Sequence, residues 1–202
     1  MPALADSKKD ELARLYAAGN SARRIAAHFD ISLDATYYAL RRFNIQRRDK
    51  KAANAAAFAM KPVSFQLKQN LTAEETELKA HGVALYWGEG YKAAGATGVD
   101  FANSDERMIR VFLAFLRRIC GVDERKLRIF LYCHDYASAV HHIRYWSRVT
   151  KVPKRQFTKP YVAKRASIKG KGMPHGLIHV RYNDKKLLGL IRSWIQEYSD
   201  RY

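Results

Sequence analysis

Apolar residues between Asp6 and Arg48 recur in three short blocks at helical spacing. Leu12, Leu15 and Tyr16 follow Ser7, and Gly19-Asn20 closes that block. Ser21 caps a second block carrying Ile25, Ala26 and Phe29. After the tight turn Asp30-Ile31-Ser32, Ser32 caps a third that runs through Thr36, Leu40 and Phe43. Three short helices joined by such a turn predict a helix-turn-helix over residues 6–48. From Asp49 to Leu71 the pattern lapses. Lys50 to Met60 is Ala-rich, with high helix propensity and little apolar periodicity, and Pro62 follows, so 49–71 reads as a linker, in part helical.

Thr72 and Glu75 form a Thr-x-x-Glu capping box, which starts a helix near Ala73. The helix continues through Leu78, Val83 and Leu85 to Trp87, then meets Gly88 and Gly90, where left-handed backbone angles are expected. Tyr91 to Thr97 reads as a first strand, Gly95 and Gly98 as a turn, and Val99-Asp100-Phe101 as a second strand. Asn103-Ser104-Asp105 offers caps for a helix over Glu106–Ile119, whose apolar face holds Met108, Ile109, Phe112, Leu113, Phe115 and Leu116. Gly121 ends it. Lys126–His134 alternates as a third strand, which puts Lys126 and Arg128 on one face. A helix follows over Ala137–Val149, Pro153 breaks it, and Phe157–Val162 reads as a further strand. Lys164–Gly176 is a Gly- and Lys-rich loop. Leu177–Tyr182 is the last strand, and a closing amphipathic helix carries Leu187, Leu188, Leu190, Ile191, Trp194 and Ile195. The whole is an α+β chain, a small helical module followed by a larger domain over 72–202.

Composition narrows the function classes. The chain has 202 residues, 48% of them hydrophobic, no apolar run of bilayer length, and no signal-like start in Met1–Asp10. A cytoplasmic, nucleoid-associated protein with no membrane partner is expected. Thirty-seven Lys+Arg against nineteen Asp+Glu give a net charge of +18, which suits a polyanion. Twelve Tyr, nine Phe and three Trp set it apart from a disordered basic tail. Between Asp135 and Asp184 there is no acid, while Arg144, Arg148, Lys151, Lys154, Arg155, Lys159, Lys164, Arg165, Lys169, Lys171 and Arg181 all fall there. Such a block repels itself unless an anion lies against it. Phosphate contact is expected from Lys154, Arg155, Lys159, Lys164, Arg165, Lys169 and Lys171, and also from Lys126 and Arg128. Cys120 and Cys133 have no zinc-like spacing and read as reduced packing residues.

The string Ile25-Ala26-x-x-Phe29-x-Ile31-Ser32-x-x-x-Thr36-Tyr37-x-x-Leu40 resembles the DNA-binding domains of resolvases and invertases. The resemblance implies that the third helix enters the major groove with Leu33, Asp34, Tyr37, Tyr38 and Arg41 towards the bases, and with Arg42, Arg47 and Arg48 along phosphates. Gly82 to Gly90, read as nine residues, resembles the signature of the LAGLIDADG family, which includes homing endonucleases and non-cutting WhiA-type regulators. Ala84 and Gly88 match its small positions and Glu89 its acid, whereas Gly82, Tyr86 and Trp87 depart from it. The order of the following segments is similar to the family's αββαββα plan. That plan implies a twisted antiparallel sheet lying on double-stranded DNA.

In active members of that family the acid holds a divalent metal that activates water for phosphodiester hydrolysis, and two motifs meet at a helix–helix interface. A single motif here implies a homodimer with Ala84 and Gly88 at the seam, Glu89 as magnesium ligand and catalytic acid, and Lys92 as a charge-stabilising group. Binding with and without cutting both remain open on the sequence, and RNA binding is a lesser alternative. His141-x-x-Arg144 matches a tyrosine-recombinase spacing without the remaining partners. No serine-recombinase catalytic domain, phosphate-binding Gly-x-x-x-x-Gly-Lys loop or His-Glu-x-x-His zinc motif is present.

Overall fold

The structure, a computed structural model, describes residues 4–134, 136–163 and 173–201. The chain divides into two compact units between Pro62 and Val63, inside the stretch expected as a linker.

In the first unit a 3-10 turn leads into α1 (Lys9–Ala17), followed by α2 (Ala22–His28) and α3 (Leu33–Arg42). The Ser21 hydroxyl accepts from the Arg24 N–H, and Ser32 accepts from the Ala35 N–H, so both expected caps are in place. Leu12, Ile25, Ala39 and Leu40 form the core. The expected spacer contains a fourth helix, α4 (Lys50–Met60), which Asp49 caps by accepting from the Ala52 N–H at 2.7 Å. A Cβ at Gly19 would lie 3.3 Å from Met60 Sδ and 3.8 Å from Ala56 Cβ, so α4 sits against the end of α1. Alanines carry this contact. Their small side chains leave no apolar stripe in the sequence.

The second unit is a two-layer α+β fold with element order α5 (Ala73–Glu89), β1 (Val99–Asn103), α6 (Glu106–Ala114), β2 (Arg128–Cys133), α7 (Tyr136–Thr150), β3 (Tyr161–Val162), β4 (Leu177–Tyr182) and α8 (Lys185–Ser199). The α6 helix continues as a π-helical turn over Phe115–Ile119. Strand order is β1-β4-β2-β3, with β4 antiparallel to both β1 and β2. β3 runs parallel to β2, with Tyr132 opposite Tyr161. The sheet is therefore mixed, not antiparallel throughout. The cause is α7, which returns the chain to the start of the sheet so that β3 follows the direction of β2. The expected strand over Phe157–Val162 touches β2 at Ile129 and again at Tyr132–Cys133, and Pro160, which has no N–H to give, separates the two contacts.

The first expected strand, Tyr91–Thr97, does not form. Gly90 makes one bridge to Phe101, the Tyr91 N–H donates to the Asp100 carbonyl at 2.8 Å, and the chain then turns at Ala93–Ala96. Ala and Gly in this segment have little β preference. The Arg192 guanidinium fixes the turn by donating to the Lys92 and Ala93 carbonyls.

Val99, Phe101, Ile129, Leu131, Ile178 and Val180 face a single core that also holds Val83, Phe112, Trp146 and Ile191 from α5, α6, α7 and α8. The rest of the expected linker belongs to this unit. Gln66 and Lys68 N–H groups donate to the Gly121 and Ile119 carbonyls, the Tyr182 hydroxyl donates to the Ser64 carbonyl, and the Asp184 carboxylate accepts from the Ser64 N–H and hydroxyl. Cys120 and Cys133 are buried, and burial pushes the Cys120 thiol up to about 12.

Candidate nucleic-acid interface

Alternation along the strands decides which side chains lie opposite the helices. In register they form rows: Asp100, Arg181 and Arg128; Ala102, His179 and Phe130; then Leu177, Tyr132 and Tyr161. None of these nine is buried, whereas the alternate residues Val99, Phe101, Ile129, Leu131, Ile178 and Val180 are. The α5, α6, α7 and α8 side chains join those buried residues in the core, which leaves the other side of the sheet bare of this unit's described helices.

This bare side is aromatic and basic, and its groups hold one another. Arg181 donates to Asp100 Oδ2 at 2.8 Å and lies 4.7 Å over the Phe130 ring. His179 Nδ1 pairs with Asp100 Oδ1 at 2.7 Å, and its ring meets Phe130 edge-on. Tyr132 and Tyr161 stack at 5.2 Å. Partial burial would raise the Asp100 carboxyl, but the His179 hydrogen bond and charge and the Arg181 guanidinium together outweigh it and hold the carboxyl below its ordinary value. Arg128 is exposed and anchored, donating to the Arg125 and Leu127 carbonyls. Lys126, expected on the same strand face, lies instead in a 3-10 turn before the strand, although it too is exposed.

The end of α5 is fixed against β1 by the Tyr86 hydroxyl, which donates to the Tyr91 carbonyl at 2.9 Å. Gly90 has φ −79° and extended backbone, so left-handed angles are not what it supplies. It supplies space: a Cβ there would come within 2.5 Å of the Tyr86 carbonyl oxygen. Gly82 behaves likewise, since its Cβ would lie 2.1 Å from Phe115 Cγ. Ala84, Gly88 and Glu89 are exposed, and nothing lies within 4 Å of a Cβ at Gly88. With Leu85, Met108 and Val111 they line a shallow groove of about 500 Å³.

Lys92, expected as a charge-stabilising group, lies at the end of α5. Its ammonium donates to the Gly90 and Tyr86 carbonyls at 2.7 and 3.4 Å, where it offsets the negative end of the α5 dipole. Those carbonyls are the oxygens that a cation beside Glu89 would otherwise take. Among the described residues no three His, Cys, Asp or Glu side chains group together around a possible metal position.

On the first unit, Asp34, Tyr38, Arg41 and Arg42 of α3 are exposed, whereas Leu33 and Tyr37 are half-buried. Tyr37 packs on the core and carries the Arg47 guanidinium 4.1 Å over its ring. Arg42 pairs with Asp6 at 2.7 Å. Arg48, expected along phosphates, is half-buried. Its guanidinium donates to the Tyr16, Gly19 and Asn20 carbonyls and stacks on Tyr16, so it caps the C-terminus of α1. Sequence reading named Arg48 and Lys92 for other roles and missed their capping contacts, since a cation that caps a distant or following carbonyl looks like any other basic residue.

No family model, curated protein or solved structure matches the chain. Lys154, Arg155 and Lys159 are exposed on the segment after α7. Lys164, Arg165, Lys169 and Lys171 lie outside the described residues. No helix among the described residues is long and apolar enough to cross a membrane.

Proposed function

We propose that this chain is a double-stranded DNA-binding protein that joins a helix-turn-helix to a LAGLIDADG-like domain with a single motif. One observation carries the reading: the side of the sheet without helices presents Arg128, Arg181, His179, Phe130, Tyr132 and Tyr161 in adjoining rows. Cations fixed beside aromatic surface suit a polyanion that also offers base edges. The exposed Asp34, Tyr38 and Arg41 on α3 are the groove-facing residues of the helix-turn-helix. The test is duplex binding across a salt series with Arg128→Gln and Arg41→Gln. Arg128→Gln should weaken binding and lower the salt slope by about 1, and Arg41→Gln should weaken binding to the preferred duplex and relax its sequence preference. Wild-type binding in both variants, or displacement of duplex by structured RNA at equal nucleotide concentration, would refute it.

A second reading rests on Glu89, which ends an exposed stripe of small side chains at Ala84 and Gly88 with open space above it. A homodimer formed there would bring two Glu89 carboxylates together, and the protein would then be a magnesium-dependent endonuclease. Duplexes enriched by binding are incubated with Mg²⁺ and wild type or Glu89→Gln. Cutting by wild type alone supports this reading. Equal binding with no cutting by either, while a known metal-dependent nuclease cuts the same duplexes, leaves the binding protein.

A further inference from the structure

A groove of about 620 Å³ lies in the helical layer of the second unit, lined by Arg144, Tyr145, Arg148, Lys154, His141 and His175 among others. No carboxylate lines it. Among the described residues Arg144, Arg148 and Lys154 have no hydrogen-bond or ion-pair partner for their charged groups. Arg107, Arg118 and Arg125 of this unit are matched by Asp105, Glu74 and Asp123, whereas Arg128 donates only to backbone carbonyls. What sets the groove apart is that three cations without an acid partner line one concavity. The walls are fixed. Trp146 Nε1–H donates to the His175 carbonyl at 2.8 Å, and the Tyr145 and His175 rings stack at 3.6 Å, which ties the turn before β4 to α7.

We propose that this groove is a phosphate-binding site separate from the bare side of the sheet, with Arg144 and Arg148 as forked donors and Lys154 as a point charge. Two guanidinium planes can each give parallel hydrogen bonds to phosphate oxygens, and prepositioned walls reduce the ordering cost of binding. The phosphate comes from a nucleic-acid strand or from a small phosphorylated molecule. The proposal does not depend on the DNA-binding reading of the sheet.

The test uses the full chain, with arginine and histidine side-chain signals followed by NMR during titration with inorganic pyrophosphate and, separately, with a short DNA duplex. Pyrophosphate should move the Arg144, Arg148 and His175 signals. Arg144→Gln/Arg148→Gln/Lys154→Gln should weaken that response tenfold or more, while Arg128→Gln leaves it unchanged. Shifts spread evenly over Arg107, Arg125 and Arg128, or a wild-type response from the triple variant, overturn the proposal. If duplex moves the same signals and displaces pyrophosphate, the natural source is a strand; if it leaves them in place, the source is a small molecule. A chain that fails to bind duplex yet keeps the pyrophosphate response separates this site from the sheet. All three substituted side chains are exposed, and an unchanged urea midpoint confirms that the variant is folded.

Discussion

Gly82 and Gly88 lie on the same helix, and their replacement by alanine should have opposite effects. Alanine gains about 1 kcal/mol over glycine in a helix interior. At Gly88 nothing stands within 4 Å of the new methyl, so this gain is retained in part, reduced because the site is near the helix end. At Gly82 the methyl carbon would lie 2.1 Å from Phe115 Cγ and 2.5 Å from Phe115 Cβ. The Phe115 ring cannot withdraw, being fully buried and packed against Phe112 and Trp194. Overpacking at such a site costs about 3 kcal/mol, the upper part of the usual range. The net loss for Gly82→Ala is then about 2 kcal/mol, or a urea midpoint lowered by about 1 M for a unit of this size. Trp87, Trp146 and Trp194 are the chain's only tryptophans and all belong to the second unit, so tryptophan fluorescence in the full chain follows that unit alone. The titration is run at concentrations where sedimentation finds monomer, which removes any effect of Gly88 on self-association. A Gly82→Ala midpoint at or above wild type would refute the packing argument, as would a Gly88→Ala loss as large as that at Gly82.

Two further outcomes follow from charged groups. Arg48→Gln should destabilise the first unit by at least about 2 kcal/mol, read from helical circular dichroism, because carbonyls at the end of α1 lose a charged donor. Arg41→Gln, on an exposed position, should leave stability within about 0.5 kcal/mol while weakening duplex binding. For Asp100 the folded carboxyl titrates below its ordinary value, so its contribution is complete above about pH 4 and is lost as pH falls through the folded value. The difference in urea midpoint between wild type and Asp100→Asn should therefore be largest above pH 4 and close in more acid solution; parallel curves down to pH 3 would contradict the ion-pair account.

Periodic segments and caps were legible in the sequence. Thr72 and Glu75 form the expected capping box, and the strands through Ile129 and Val180 and the helix through Ile191 stand where alternation and helical spacing put them. What escaped was information held between distant segments. Nothing near Gly82 in the sequence announces Phe115, and nothing near Arg48 announces the carbonyls of α1. The direction of β3 is a property of the α7 crossover and not of the residues in the strand. Ala53 and Ala56 left no apolar stripe, so α4 could be read as a helical spacer but not as a packed element. In the candidate interface, the alternation that places Arg128 beside Phe130 and Tyr132 was visible, whereas the partnership of Asp100 with His179 and Arg181 required the β1–β4 register.

The borders of the sheet bear on how this molecule avoids its own copies. A sheet with one uncovered side is exposed to strand-by-strand growth if its outermost backbone is free. Here β1 is flanked by Gly90 and Tyr91, which already bond to its backbone, and among the described residues β3 offers two regular residues after Pro160. Among the described residues neither border gives an incoming strand a long unbroken ladder. The protein can thus keep a broad aromatic and basic surface in water without that surface becoming the template for a fibre.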